Sequence, residues 1–152
     1  MIRDQLSDAL KTSMKEKKQV AVSTLRLIQA AIKDRDIAAR SKGVDDGISD
    51  EEILQVLQTM VRQRHDSIEM YTKGNRDELA EREAQEIEVI QGFMPRQLDD
   101  AEMEAAIDQV VDATGAASIK DMGKAMGALR ERYAGQMDFG KAGAALKARL
   151  AG

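Results

Sequence analysis

A chain of 152 residues with 3% aromatics, no tryptophan and no cysteine must build its core from Leu, Ile, Val, Ala and nine Met. The missing cysteines exclude disulfides, thiol nucleophiles and cysteine-bound metals; with an acidic, amphipathic start at Met1-Ile2-Arg3-Asp4-Gln5-Leu6, they lead to an expected cytoplasmic location. A net charge of −4 argues against bulk nucleic-acid binding, and no apolar run approaches the roughly 20 residues of a membrane span, so no membrane partner is expected.

A single proline and 33% charged residues suit an all-α protein. Ile2, Leu6, Ala9 and Ser13 predict a first short helix, ending at the charged turn Lys15-Glu16-Lys17-Lys18. Ala21, Leu25, Ile28 and Ile32 predict a second, running to about Arg40 before Gly43 and Gly47 interrupt it. Ser49-Asp50-Glu51-Glu52 has the form of a capping box, the serine taking the Glu52 amide while the glutamate reaches back. The third helix behind it carries Ile53, Leu57, Met60, Ile68 and Tyr71 on one side and closes at Lys73-Gly74-Asn75. A fourth, from Arg76 to about Met94, turns Ala80, Ala84, Ile87 and Ile90 inward. Short connections make these four an N-terminal antiparallel helical bundle over residues 1–94.

Pro95 lacks a backbone donor and disfavours helix at Met94, which sets the domain boundary there. Asp99 and Glu102 then cap a helix through Val110 and Val111 to Thr114-Gly115. Ser118 caps the next helix, and Gly135 and Asp138 end it and begin the last, which carries Phe139, Ala142, Gly143, Leu146 and Leu150. Residues 95–152 therefore read as a small three-helix C-terminal domain, near the lower limit for independent folding.

The helix behind Ser118 stands out because it holds two glycines one turn apart, Gly123 and Gly127. Each should cost roughly 0.5–1 kcal/mol relative to alanine inside a helix. At about 100° per residue, Ile119, Met122, Met126, Leu129 and Tyr133 form one apolar stripe. Lys120, Gly123, Lys124 and Gly127 fall together on the other side. One reading makes the glycines a site of close helix packing with the lysines solvated. The other makes them a docking strip for an anionic or backbone-rich partner such as RNA.

Charge is distributed in blocks. Residues 11–42 hold nine Lys/Arg against three Asp/Glu, and residues 118–152 hold seven against three. Residues 43–94 hold five against thirteen, and residues 95–117 one against six. The two basic blocks would make an electropositive footprint if folded side by side; solvated helix faces are the plainer alternative. No GxGxxG, P-loop, GxSxG or HExxH pattern is present. The single histidine, His65, reads as an exposed helical residue, and Glu81, Glu83, Glu86 and Glu88 read as an acidic face turned to solvent or to Arg62 and Arg64. No catalytic residue, metal site, cofactor or small-molecule substrate is therefore assigned.

Five stretches stand together: Thr24-Leu25-Arg26-Leu27-Ile28-Gln29-Ala30-Ala31-Ile32-Lys33, Ser49-Asp50-Glu51-Glu52-Ile53, Arg62-Gln63-Arg64-His65-Asp66-Ser67-Ile68, Phe93-Met94-Pro95-Arg96-Gln97-Leu98 and Lys120-Asp121-Met122-Gly123-Lys124-Ala125-Met126-Gly127. In this order they resemble the YqeY family, whose C-terminal part is similar to the tail domain of the GatB subunit of tRNA-dependent amidotransferases. Gln136-Met137 and His65 depart from the family's usual residues. The resemblance implies a helical bundle followed by a small helical domain associated with tRNA, without an amidotransferase centre. It carries over Lys120, Gly123, Lys124 and Gly127 as candidate contacts. Three readings follow. The first is a non-catalytic accessory module binding tRNA or an aminoacyl-tRNA-related enzyme, with Lys120, Lys124, Arg130, Arg132 and Lys141 on phosphates. The second is a protein–protein adaptor without RNA contact. The third, a carbon–nitrogen ligase using glutamine as amide donor, finds no residues here to carry it.

Overall fold

The computed structural model describes residues 1–152. Seven α-helices and one 3-10 turn make up the fold, without a strand: α1 (Ile2–Lys15), α2 (Gln19–Arg40), α3 (Asp50–Lys73), α4 (Asp77–Gln91), α5 (Asp100–Thr114), the turn Ile119–Asp121, α6 (Met122–Arg132) and α7 (Phe139–Ala151). They divide into two compact units, Met1–Met94 and Pro95–Gly152.

The first unit closes over Leu6, Leu25, Ile28, Ile32, Ile48, Ile53, Val56, Leu57, Met60 and Ile90. Its two tight hairpins share one device. Lys17 and Asn75 both adopt left-handed backbone (φ 56° and 59°), and the following amides, Lys18 and Arg76, bond back to the carbonyls of Ser13 and Tyr71 at 3.0 and 2.8 Å. This wrap satisfies helix-end carbonyls and reverses the chain within three residues, so α1 and α2, and α3 and α4, pack antiparallel. The longer α2–α3 loop is fixed by a side chain instead. Arg3 grips Asp36 with two hydrogen bonds of 2.7 and 2.9 Å and also donates to the Ile48 carbonyl, while Asp36 accepts the Ile48 amide at 2.8 Å. Gly47 passes this knot at φ 90°, where a Cβ would lie 2.7 Å from Arg3 Nη2.

Three local expectations for this unit need correction. At the start of α3, Ser49 accepts the Glu52 amide at 3.2 Å, but the Glu52 carboxylate meets the Ser49 hydroxyl rather than its backbone amide. Helix α4 ends at Gln91, short of Met94, because Gly92 weakens the last turn and Phe93 and Met94 continue in i→i−3 bonds. Ala84 is exposed, and Glu83 and Glu86 turn toward Arg64 instead. The Arg64–Glu86 pair is 2.9 Å long with both side chains largely buried. Burial, and then the neighbouring Glu86 charge, push the Glu83 carboxyl above its ordinary range.

The second unit packs α5, α6 and α7 around Met103, Ala106, Ile107, Val110, Ala125, Met126, Leu129, Met137, Ala142 and Leu146. Helix α5 starts on a complete reciprocal cap between Asp99 and Glu102 and stops at Gly115, which is left-handed at φ 68°. Asp138 caps α7 by accepting the Gly140 amide at 2.8 Å. Met137, which departs from the family's usual residues, is buried, and its loop is sewn to the segment after Pro95. Leu98 donates to the Gln136 carbonyl at 2.9 Å and the Gln97 side chain donates to the Gly135 carbonyl at 2.6 Å.

Candidate nucleic-acid interface

Local backbone chemistry sets the orientation of α6. The Asp121 carboxylate reaches back to accept the amides of Ala117 at 2.9 Å and Ser118 at 3.2 Å. These two donors, and more weakly Lys124, hold the Asp121 carboxyl below its usual range. Ser118 and Asp121 form a capping box around this helix start, and Ile119–Asp121 is a 3-10 turn. Ile119 lies in that turn, ahead of α6, and is 48% exposed although its spacing placed it in the inward stripe.

The rest of the stripe behaves as its spacing requires. Met126 and Leu129 are buried, and Met122 and Tyr133 pack against the same core. Ala125, beyond the edge of that stripe, is fully buried as well. The Tyr133 hydroxyl donates to Gln109 at 3.1 Å and ties the end of α6 to α5. With that side held, Lys120, Gly123, Lys124, Gly127 and Arg130 all face solvent. A Cβ added at Gly123 or Gly127 would meet nothing within 4 Å beyond the helix's own backbone. Nothing else in Pro95–Gly152 approaches them, so close helix packing within this unit does not account for either glycine.

The charges of the unit sort into two groups. Arg96 pairs with Glu102 at 2.6 Å, Lys141 with Asp100 at 2.8 Å, and Arg149 with Asp108. Lys120, Lys124, Arg130 and Arg132, with Lys147 on α7, enter no ion pair and are exposed. The structure therefore brings Lys120, Lys124 and Arg130 onto one face with the two glycines. Arg132 sits on the same helix, about 120° round from Lys120, and Lys141 is engaged elsewhere, its ammonium raised above its ordinary range by Asp100. Ile119, assigned to the core by spacing, joins the exposed face. Chemically the face offers diffuse positive charge over bare backbone, a combination that suits phosphate contact without base reading. It holds no nucleophile–base pair.

A family model described as Yqey-like protein matches residues 3–150. The chain belongs to the YqeY family. Three curated relatives carry the name "Altered inheritance of mitochondria protein 41, mitochondrial". The one from Lachancea thermotolerans is 31% identical over 108 residues, covering 70% of this chain and 56% of that protein. The one from Vanderwaltozyma polyspora is 27% identical over 124 residues, covering 77% and 64%. The one from Candida glabrata is 35% identical over 89 residues, covering 59% and 47%. This YqeY-family chain spans about half to two thirds of the length of the curated relatives it matches. Their names overturn the expected cytoplasmic location, since they point to mitochondria. The expectation leaned on missing cysteine, which removes disulfides in any compartment and so does not select one.

Proposed function

We propose that this protein is a non-catalytic accessory module that docks on tRNA, or on an enzyme carrying tRNA, through the outward face of α6. The supporting observation is the pair of exposed glycines. Gly123 and Gly127 weaken the helix, and nothing in the fold requires either of them. Lys120, Lys124 and Arg130 stand on the same face outside any ion pair. A phosphate backbone reaches such a surface without steric cost and gains counterion release as it binds. The test is tRNA affinity across a salt series. Three phosphate contacts give a log–log slope of about −2 to −3. Absence of binding at low salt would remove the proposal.

Ile119 supports a second reading, in which the same face seats a partner protein. An exposed isoleucine four residues before Gly123 is of no use to a phosphate backbone but suits an apolar side chain of a partner. Ile119→Ser separates the two, because without changing the charge of the face it leaves tRNA affinity within about twofold and abolishes capture of a protein partner.

A further inference from the structure

The first unit carries a second unpartnered face, on the outside of α2. Along it Leu27, Ala30, Asp34 and Ile37 form one line by helical spacing, and Leu27 and Ile37 are each about half exposed. Arg26, Lys33 and Arg40 recur every seven residues along one flank, about 10.5 Å apart, and Arg35 stands on the other. None of the four is in an ion pair: the only carboxylate of α2 that is paired, Asp36, is taken by Arg3. The acids facing this side are Asp34 within the line and Asp45 and Asp46 beyond its end. Toward the start of α2, Arg26 borders a shallow depression of about 410 Å³ that it shares with Met14, Lys17, Gln19, Val22 and Ser23. Met14 and Val44 are also about half exposed, and three of the eight exposed large hydrophobic residues, Met14, Leu27 and Ile37, lie within the basic stretch 11–42.

We infer that this face is a contact for an anionic lipid surface, on which α2 lies without crossing. Charge complementarity fixes the sign of the occupant, and the apolar line fixes its class. Four half-exposed side chains fall far short of the roughly 800 Å² per partner of a stable protein interface. A nucleic acid has no use for them, and residues 11–44 contain no Phe, Tyr or Trp on which a base would stack. A headgroup layer accepts both components, the shallow apolar residues at its boundary and the bases among its phosphates. No helix of the chain is long and apolar enough to cross a membrane. The expectation of no membrane partner rested on that spanning criterion, which does not bear on surface contact.

The test is flotation of the full chain with vesicles of phosphatidylcholine alone and of phosphatidylcholine mixed equally with phosphatidylserine, at low and high salt. Capture by the phosphatidylserine vesicles alone, weakened by salt, is the expected result. Joint replacement Arg26→Gln, Lys33→Gln and Arg40→Gln lowers affinity about 100-fold, at roughly fivefold per charge. Joint replacement Leu27→Asp and Ile37→Asp lowers it at least about tenfold, with helix content unchanged because both side chains are on the surface. Equal capture by neutral vesicles, no capture by anionic ones, or indifference to the Leu27/Ile37 pair would overturn the inference. Loss of capture on Lys120→Gln with Lys124→Gln, which lie in the other unit, would overturn it too.

Discussion

The interior contacts of the first unit and the outer face of α6 use the same residue types in opposite ways. In Met1–Met94, Gly47 and Arg3 need each other: the glycine is left-handed, and a side chain there would strike the guanidinium that ties Asp36 to the α2–α3 loop. Arg64 likewise belongs to the fold, with its Nε 2.9 Å from Glu86 and its Nη1 donating to the Met60 carbonyl at 3.1 Å. In Pro95–Gly152, Gly123 and Gly127 have open space around them, and Lys120 and Lys124 have no carboxylate in ion-pair reach. A glycine or a base that the fold consumes is explained once its contacts are known. One that the fold leaves unused asks for something outside the chain.

That contrast is open to attack by mutation, beginning where the fold should suffer most. Arg64→Met leaves Glu83 and Glu86 facing each other, both largely buried, with only Arg82 nearby, and should cost about 2–3 kcal/mol in denaturant unfolding. Gly47→Ala forces a Cβ into a left-handed residue and displaces Arg3, for about 2 kcal/mol. An unchanged midpoint in either variant would mean that the first unit does not depend on these residues. Gly127→Ala should act in the other direction and stabilise by about 0.5–1 kcal/mol. A loss of stability there would reveal a structural need for the glycine and break the contrast.

The smallest effect concerns acid. Arg96, and then the Asp99 amide, hold the exposed Glu102 carboxyl down to about 2. The folded chain therefore favours ionised Glu102, a contribution that is complete above the ordinary value near 4.5 and fades as pH falls toward about 2. Stability curves of the wild type and of Glu102→Gln should converge over that window. Curves that stay parallel down to pH 2 would show that the pair contributes nothing specific.

What could be read from the sequence was what short range determines. Gly74-Asn75, Asp99 with Glu102, Gly115 and Asp138 act on amides and carbonyls within a few residues, and helix ends fall at them. The failures lie where a distant partner or a change of helix type decides. Ile119 is half exposed although spacing placed it in the stripe, and it lies in the 3-10 turn ahead of α6. Glu83 and Glu86 displaced Ala84 from the inward side because Arg64 stands opposite on α3. Met137 is buried because its loop is bonded to Gln97 and Leu98, some 38 residues earlier. On the candidate surface, the grouping of Lys120, Lys124 and the two glycines follows from helical spacing alone. The engagement of Lys141 does not, since Asp100 reaches it from another helix.

The most direct measurement is made on one variant, Lys120→Gln with Lys124→Gln, followed in parallel for unfolding and for tRNA affinity at low salt. The account predicts an unchanged unfolding midpoint, an affinity lowered at least about tenfold, and a salt slope shallower by about 1.5–2. Wild-type affinity and slope in a fully folded variant would contradict it.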